Sequence, residues 1–78
     1  MKYITYINFD SITCCVIFDK CTDHIAMSKG LMYRNILGAG FVSFGDDGTI
    51  HCYGESISLN IKSNDKDASI IEKCRTDY

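Results

Sequence analysis

The segment Gly45-Asp46-Asp47-Gly48 is the feature that most limits what this chain can fold into. It lies between two largely apolar stretches, residues 41–44 and residues 49–53. Because Asp-Gly accepts positive φ where apolar residues do not, the segment predicts a tight turn that joins two antiparallel strands. A chain that contains such a hairpin is expected to build a mainly antiparallel sheet.

Three further segments predict strands. Residues 2–9 carry β-branched and aromatic side chains on both faces, and residues 13–18 form a short apolar run that we expect to be more deeply buried. These two strands are expected to form a hairpin. Residues 56–62 alternate strictly, which predicts a half-buried strand with Ile57, Leu59 and Ile61 pointing inward. The glycines of Gly38-Ala39-Gly40 indicate a bulge or a close backbone contact inside a bent strand.

Two segments predict helices. Residues 22–30 begin with a capping residue and end in Lys29-Gly30, whereas residues 66–75 follow the capping candidates Ser63-Asn64-Asp65. Residues 31–37 fit either a surface turn or the start of a strand. The order of elements is therefore β-β-α-β-β-β-α. It predicts a single α+β domain over residues 1–78, with a mainly antiparallel sheet and the helices packed on one face.

The length of the chain, 78 residues, allows only a thin core. A chain of this size buries about 60% of its unfolded surface, while ordering the backbone costs about 1 to 2 kcal/mol per residue. Self-association would add buried surface, so we expect a homodimer or another protein partner. With 46% hydrophobic and 23% charged residues, the composition excludes a disordered chain.

The charge pattern argues against a nucleic-acid partner. The net charge is −2 and the eight Lys and Arg residues are scattered singly, so no cluster of cations is available to bind phosphates. No run of 18 apolar residues is present, and the first residues lack a segment of signal-peptide length, so no membrane association is expected. The odd number of cysteines, five, fits a reducing compartment, and we expect a cytoplasmic protein.

The cysteines and histidines do not predict a metal site. No Cys-x-x-Cys pair occurs; only Cys21 with His24, and His51 with Cys52, have metal-compatible spacing. Adjacent residues on a strand point to opposite faces, so the second pair is poorly suited to chelate one ion. No metal or cofactor is therefore expected, and the cysteines are interpreted as small buried hydrophobic residues.

One polar cluster is a candidate binding site. Gly54 allows a sharp turn that can gather Tyr53, Glu55 and Ser56 at one end of the sheet, and His24 lies near the start of a helix, where its imidazole is expected to be neutral. The alternative interpretation is a plain turn between two strands, with His24 exposed in a first helical turn or covering the sheet edge. A Cys-His pair has neither a third group nor an oxyanion hole, so no catalytic residue is assigned and no enzyme is expected.

Three segments carry a resemblance to a group of small bacterial proteins. They are residues 39–44 (Ala-Gly-Phe-Val-Ser-Phe), residues 52–59 (Cys-Tyr-Gly-Glu-Ser-Ile-Ser-Leu) and residues 22–27 (Thr-Asp-His-Ile-Ala-Met). Together they look like uncharacterised single-domain proteins of about this length that are often carried on mobile DNA. The resemblance covers residues 22–67 and implies no particular activity. It marks His24, Tyr53, Glu55 and Ser56 as a shared surface.

These observations support three functional hypotheses. The first is a small interaction module that docks to itself or to another protein through an exposed edge strand, expected at residues 2–9 or 56–62. The second is a small-ligand-binding or hydrolytic protein that uses the cluster of His24, Tyr53, Glu55 and Ser56. The third is an inhibitor of a host defence or regulatory protein, which differs from the first in its partner.

Overall fold

The computed structural model describes the backbone of residues 1–76 and the side chains of residues 1–74, and this part of the chain has an α+β fold. Its elements are β1 (Lys2–Asn8), β2 (Thr13–Phe18), α1 (His24–Lys29), β3 (Tyr33–Phe44), β4 (Ile50–Tyr53), β5 (Glu55–Ser56), β6 (Ile61–Lys62) and α2 (Asp67–Thr76). Within these residues, β2-β1-β3-β4 form one antiparallel sheet and β5-β6 a small second one. The prediction of a mixed α+β fold with a mainly antiparallel sheet is therefore confirmed.

Strand β1 is the centre of the main sheet. It pairs with β2 on one side and with β3 on the other, and its residues Tyr3, Ile4 and Thr5 are fully buried. The expectation that residues 13–18 would be the more deeply buried strand is wrong. Strand β2 is an edge strand, and most of its side chains are only half-buried. An apolar run indicates that the side chains of a strand must be buried, but the order of the strands in the sheet decides how far they are buried.

The hairpin of β3 and β4 forms at the predicted turn. Phe44 pairs with Ile50, and the Gly45 N–H donates to the Thr49 carbonyl at 2.8 Å. Gly48 has φ of +88°, the conformation for which glycine is favoured. The Asp47 carboxylate accepts hydrogen bonds from the side chain and backbone of Thr49, and these bonds lower the pKa of Asp47. Local turn chemistry therefore fixes this hairpin.

Strand β3 contains the predicted irregularity beside its glycines. Thr5 pairs with Gly38 but Tyr6 pairs with Ile36, so Leu37 is an extra residue that bulges from the ladder. A Cβ atom at Gly40 would lie 2.6 Å from the Tyr53 carbonyl oxygen, which shows how closely the two backbones approach. The bulge and the close contact are both present, and the ambiguous residues 31–37 include the start of this strand.

The single strand predicted over residues 56–62 is not formed. The segment instead makes the two short strands β5 and β6, with a turn between them in which the Asn60 N–H donates to the Ile57 carbonyl at 3.2 Å. Asn60 has φ of +56°, and the side chain of Ile57 is 87% exposed rather than inward. An asparagine accepts this left-handed conformation, so the alternating pattern is interrupted where it looked continuous.

The two helices cover opposite faces of the main sheet. Tyr3 packs with Val42 and with Ile71 of α2, and we call this side the α2 face. Its neighbour Ile4 points the other way and packs with Met27 of α1, on the side that we call the α1 face. The prediction that both helices pack on one face is wrong. Strand β1 is apolar on both faces, so a helix packs against each face of the sheet.

Helix α2 begins at a reciprocal cap that also contacts the sheet. The Asn64 side chain accepts a hydrogen bond from the Lys66 N–H at 2.9 Å, and the Asp67 carboxylate accepts one from the Asn64 N–H at 3.0 Å. The same carboxylate accepts hydrogen bonds from the hydroxyl groups of Tyr3 and Thr5. The predicted capping role of the residues before α2 is thus seen at Asn64, and Asp67 joins the helix to β1.

Candidate functional site

His24 is enclosed at the start of α1. Its side chain is 4% exposed, and its Nε2–H donates to the Gly40 carbonyl at 2.9 Å. The ring meets Phe18 and Phe41 edge-on, with centroids 5.4 and 6.1 Å away. Because a carbonyl can only accept a hydrogen bond, Nε2 carries a proton and is not available as a base. The ring's contacts attach α1 to the sheet.

Tyr53 lies on the same face of the sheet as His24. It stacks on Phe41 with a centroid distance of 5.9 Å, so the Phe41 ring lies between the imidazole and the phenol. Tyr53 is 53% exposed. His24, Phe41 and Tyr53 therefore form one row of rings. Of His24 and Tyr53, the two predicted site residues in this row, only Tyr53 is largely exposed to solvent.

Glu55 and Ser56 have different environments although they are adjacent. Glu55 is exposed, whereas Ser56 is buried and its Oγ accepts a hydrogen bond from the Leu59 N–H at 3.2 Å. Ser58, in the same turn, accepts a hydrogen bond from the Ile25 N–H in the first turn of α1 at 3.3 Å. The serines thus close the turn and connect it to α1. Tyr53 and Glu55 are the members of the predicted cluster with exposed side chains.

The described residues hold neither a metal cluster nor a spanning helix. Within residues 1–76, no group of three or more His, Cys, Asp and Glu side chains is placed to bind one ion. In the same part of the chain, no helix has the length and apolar character needed to cross a membrane. Comparison of the chain with protein-family models, curated proteins and solved structures gives no match.

The outer edge of β2 is a second candidate site. The Asn8 N–H donates to the Ile12 carbonyl at 3.0 Å, and hydrogen-bonded pairs alternate along an antiparallel ladder. Thr13, Cys15 and Ile17 therefore direct their N–H and C=O groups away from β1. Within residues 1–76 no other strand pairs with this side of β2. These backbone groups form an open row of donors and acceptors.

The sequence of β2 leaves this edge unprotected. Natural edge strands are usually blocked by charged side chains, by proline or by being short. The segment Thr-Cys-Cys-Val-Ile-Phe has six residues and contains neither a charge nor a proline. The other edge strand, β4, has four residues and includes His51. The earlier expectation of an edge at residues 2–9 is wrong because β1 is central. No signal within residues 13–18 identifies β2 as an edge strand, because an uncharged apolar run is typical of a buried strand.

A groove of about 1120 Å³ adjoins the start of β2. It runs between the β1–β2 turn and α2, and its lining includes Ile12, Thr13, Ile70 and Cys74. The side chain of Ile12 is 56% exposed. A smaller groove, of about 500 Å³, separates β4 from α2. Neither groove is lined by any member of the His24, Tyr53, Glu55 and Ser56 cluster. Apolar surface and open backbone groups therefore occur together at the β2 edge.

Proposed function

We propose that this protein is a small interaction module that self-associates by antiparallel pairing of β2 with β2 of a second copy. The open backbone groups of Thr13, Cys15 and Ile17 are the observation that supports this function. Pairing would satisfy these groups with main-chain hydrogen bonds and extend the four-stranded sheet into one continuous sheet of two chains. The five free thiols of the chain fit a cytoplasmic setting for this module.

A two-fold arrangement satisfies every open group at once. If Cys15 lies opposite Cys15 of the second copy, Thr13 lies opposite Ile17 and Ile17 opposite Thr13. Each such pair exchanges two hydrogen bonds in an antiparallel ladder. Residues that meet themselves at a two-fold axis must not repel, and β2 carries no charge. The geometry of the edge is therefore compatible with a second copy of the same chain.

The surroundings of the edge favour the same partner. A two-fold axis perpendicular to the sheet keeps the α2 faces of both copies on one side. The groove beside Ile12 and Ile70 adjoins the start of β2, so pairing would bury part of its apolar surface together with the paired backbone. A thin core gains stability from this added burial.

The first test is amide hydrogen exchange measured by NMR at low and high protein concentration. We expect the amides of Thr13, Cys15 and Ile17 to exchange rapidly in the dilute monomer and to become protected as the concentration rises. The amides of Cys14 and Val16 point to β1 and should be protected at both concentrations. Exchange of the three edge amides that is independent of concentration would contradict the proposal.

The opposite edge of the sheet provides an internal control. The Gly45–Thr49 hydrogen bond sets the alternation of the β3–β4 ladder, so Ile50 and Cys52 direct their amides away from β3. Their exchange should not change with concentration if β2 is the interface. Protection that appears at Ile50 and Cys52 instead would place the interface on β4 and refute the pairing of β2.

The second test removes one edge donor. Thr13→Pro lacks the N–H that would bond to Ile17 of the second copy, whereas Thr13→Val keeps it. We expect Thr13→Pro to weaken self-association by about tenfold or more, since two hydrogen bonds are lost per dimer at about 0.5 to 1.5 kcal/mol each. Sedimentation equilibrium gives the dissociation constants. Equal constants for the two variants, or a strictly monomeric wild type, would exclude this interface.

A further inference from the structure

Two cysteines that are distant in sequence meet on the α2 face. Cys15 of β2 packs against the cluster that contains Ile71, and Cys74 lies one helical turn after Ile71 on α2. Cys74 lines the same groove as Thr13, which lies on the same face of β2 as Cys15. Both cysteine side chains are half-buried, so they lie at the rim of the core. The packing of α2 on β2 thus places two thiols side by side.

The other cysteines have different positions. Cys14 is next to Cys15 but points to the opposite face of β2, where its thiol donates to the Ile12 carbonyl at 3.5 Å. Cys52 lies on β4, at the other edge of the sheet, and β1 and β3 lie between the two edge strands. Cys21 is exposed in the loop before α1. Cys52 packs against the same core cluster as Cys15, but from the opposite edge strand, which leaves Cys74 as the cysteine placed beside Cys15.

We infer that Cys15 and Cys74 form a reversible disulfide that attaches α2 to β2, with a low-molecular-weight disulfide such as glutathione disulfide as the oxidant. This inference does not depend on self-association, because both cysteines belong to the same copy. The disulfide would close a loop that contains most of the chain, which strongly restricts the unfolded state. Oxidation would therefore stabilise the packing of α2 against the edge strand.

The exchange proceeds in two steps. Cys74 lines the open groove, so its thiolate attacks one sulfur of glutathione disulfide, forms a mixed disulfide and releases one glutathione. The Cys15 thiolate then attacks the Cys74 sulfur, the Cys15–Cys74 bond forms and the second glutathione leaves. Two electrons pass from the two cysteines to glutathione disulfide, and the two thiol protons end on the released glutathione molecules.

The local environment sets the speed of the second step. Burial and the neighbouring Cys74 thiol raise the pKa of Cys15 to about 12, so little Cys15 thiolate exists near neutral pH. The mixed disulfide at Cys74 should accumulate first and should close faster as the pH rises. The proximity of the two sulfurs compensates in part for the small fraction of thiolate.

The experiment is a titration of the reduced, dilute wild-type protein with mixtures of reduced and oxidised glutathione. Intact-mass spectrometry should show a monomer that has lost two hydrogen atoms, and non-reducing peptide mapping should link Cys15 to Cys74. Dithiothreitol should restore the starting mass. The matched variants Cys74→Ser and Cys14→Ser test whether Cys74 or Cys14 is the partner of Cys15. Cys74→Ser should abolish the loss of two hydrogen atoms, and Cys14→Ser should retain it.

Other outcomes would overturn the inference. These are glutathione adducts without ring closure even at pH 9, a link from Cys15 to Cys14 or Cys52, or a disulfide that joins two chains through Cys15. The wild-type peptide map decides among them without relying on the folding of any variant. A repeat in concentrated urea is the control for the fold, and the selectivity for Cys15 and Cys74 should be lost there.

Discussion

At the scale of single residues, the Asp67 carboxylate connects the start of α2 to strand β1. It is fully buried, and it accepts hydrogen bonds from the Tyr3 and Thr5 hydroxyl groups and from the Asn64 N–H. A buried carboxylate is tolerated only when it has such donors. Gly38 leaves the space that the carboxylate occupies, because a Cβ atom there would lie directly against the Asp67 oxygens.

This arrangement gives a prediction for Gly38→Ala. The added methyl group must displace a buried, hydrogen-bonded carboxylate, and we expect the free energy of unfolding to fall by about 1 to 3 kcal/mol. Urea denaturation measures the change. Gly30→Ala is the control, since its added Cβ would meet nothing closer than the Met27 carbonyl at 3.6 Å. Equal effects of the two substitutions would show that the space beside Asp67 is not limiting.

At the scale of elements, the β1–β2 turn is fixed by local hydrogen bonds. The Asn8 side chain accepts hydrogen bonds from the Asp10 N–H at 2.9 Å and from the Ile12 N–H at 3.0 Å, and the Asn8 carbonyl accepts one from the Ser11 N–H at 3.0 Å. The turn nevertheless requires φ of +64° at Ser11, a conformation that L-residues adopt at a cost. The same hairpin places β2 at the edge of the sheet.

The strain at Ser11 can be measured by two substitutions that remove the same hydroxyl group. Ser11→Gly adopts positive φ without a steric penalty, whereas Ser11→Ala keeps the penalty. We expect the glycine variant to be more stable than the alanine variant by about 1 kcal/mol in urea denaturation. An alanine variant as stable as the glycine variant would mean that the turn relaxes to another conformation. The weak contact of Ser11 with Arg34 is lost in both, so it cancels.

At the scale of the whole molecule, the α2 face buries several groups that ionise at high pH. Burial raises the pKa of Tyr3 and Cys52, and that of Cys15 to about 12. The native state therefore keeps protons that the unfolded chain loses first. The resulting stability is fully present below the ordinary thiol pKa of 9.0 and is lost as the pH rises through the pKa of the native state.

The expected result is a urea denaturation midpoint that falls steadily between about pH 9 and pH 11. Cys15→Val removes one of the raised groups while keeping an apolar, β-branched side chain on β2. Its midpoint should therefore fall less steeply over the same range. A wild-type midpoint that stays constant to pH 11, or an identical slope in the variant, would be inconsistent with buried protonated groups on the α2 face.

Sequence patterns of a few residues predicted the local elements correctly. The turn at Gly45-Asp46-Asp47-Gly48 and the cap at Asn64 depend on φ preferences and on hydrogen bonds between near neighbours. The alternation over residues 56–62 led to a wrong prediction of one continuous strand, because an alternating pattern does not reveal that Asn60 adopts a left-handed conformation. Local rules therefore succeeded where the decisive contacts are also local.

The candidate site depends on contacts that no local pattern contains. His24 is enclosed because Gly40 and two phenylalanines contact it from other strands. The Ile25 N–H in the first turn of α1 donates its hydrogen bond to Ser58, 33 residues away. The sequence identified His24, Tyr53, Glu55 and Ser56 as candidate binding residues because they are polar and close to Gly54 or to a helix start. Their burial and their separation by Phe41 follow only from how the segments pack.

The sequence by itself determined that this chain forms short antiparallel strands and two helices, because backbone conformation responds to residues a few positions apart. Only the tertiary structure decided that β1 lies at the centre, that the helices take opposite faces, that β2 is left at the edge and that Cys15 packs against α2. Strand order depends on how the apolar surfaces of all the segments pack against one another, and that packing is defined only when the whole chain is folded.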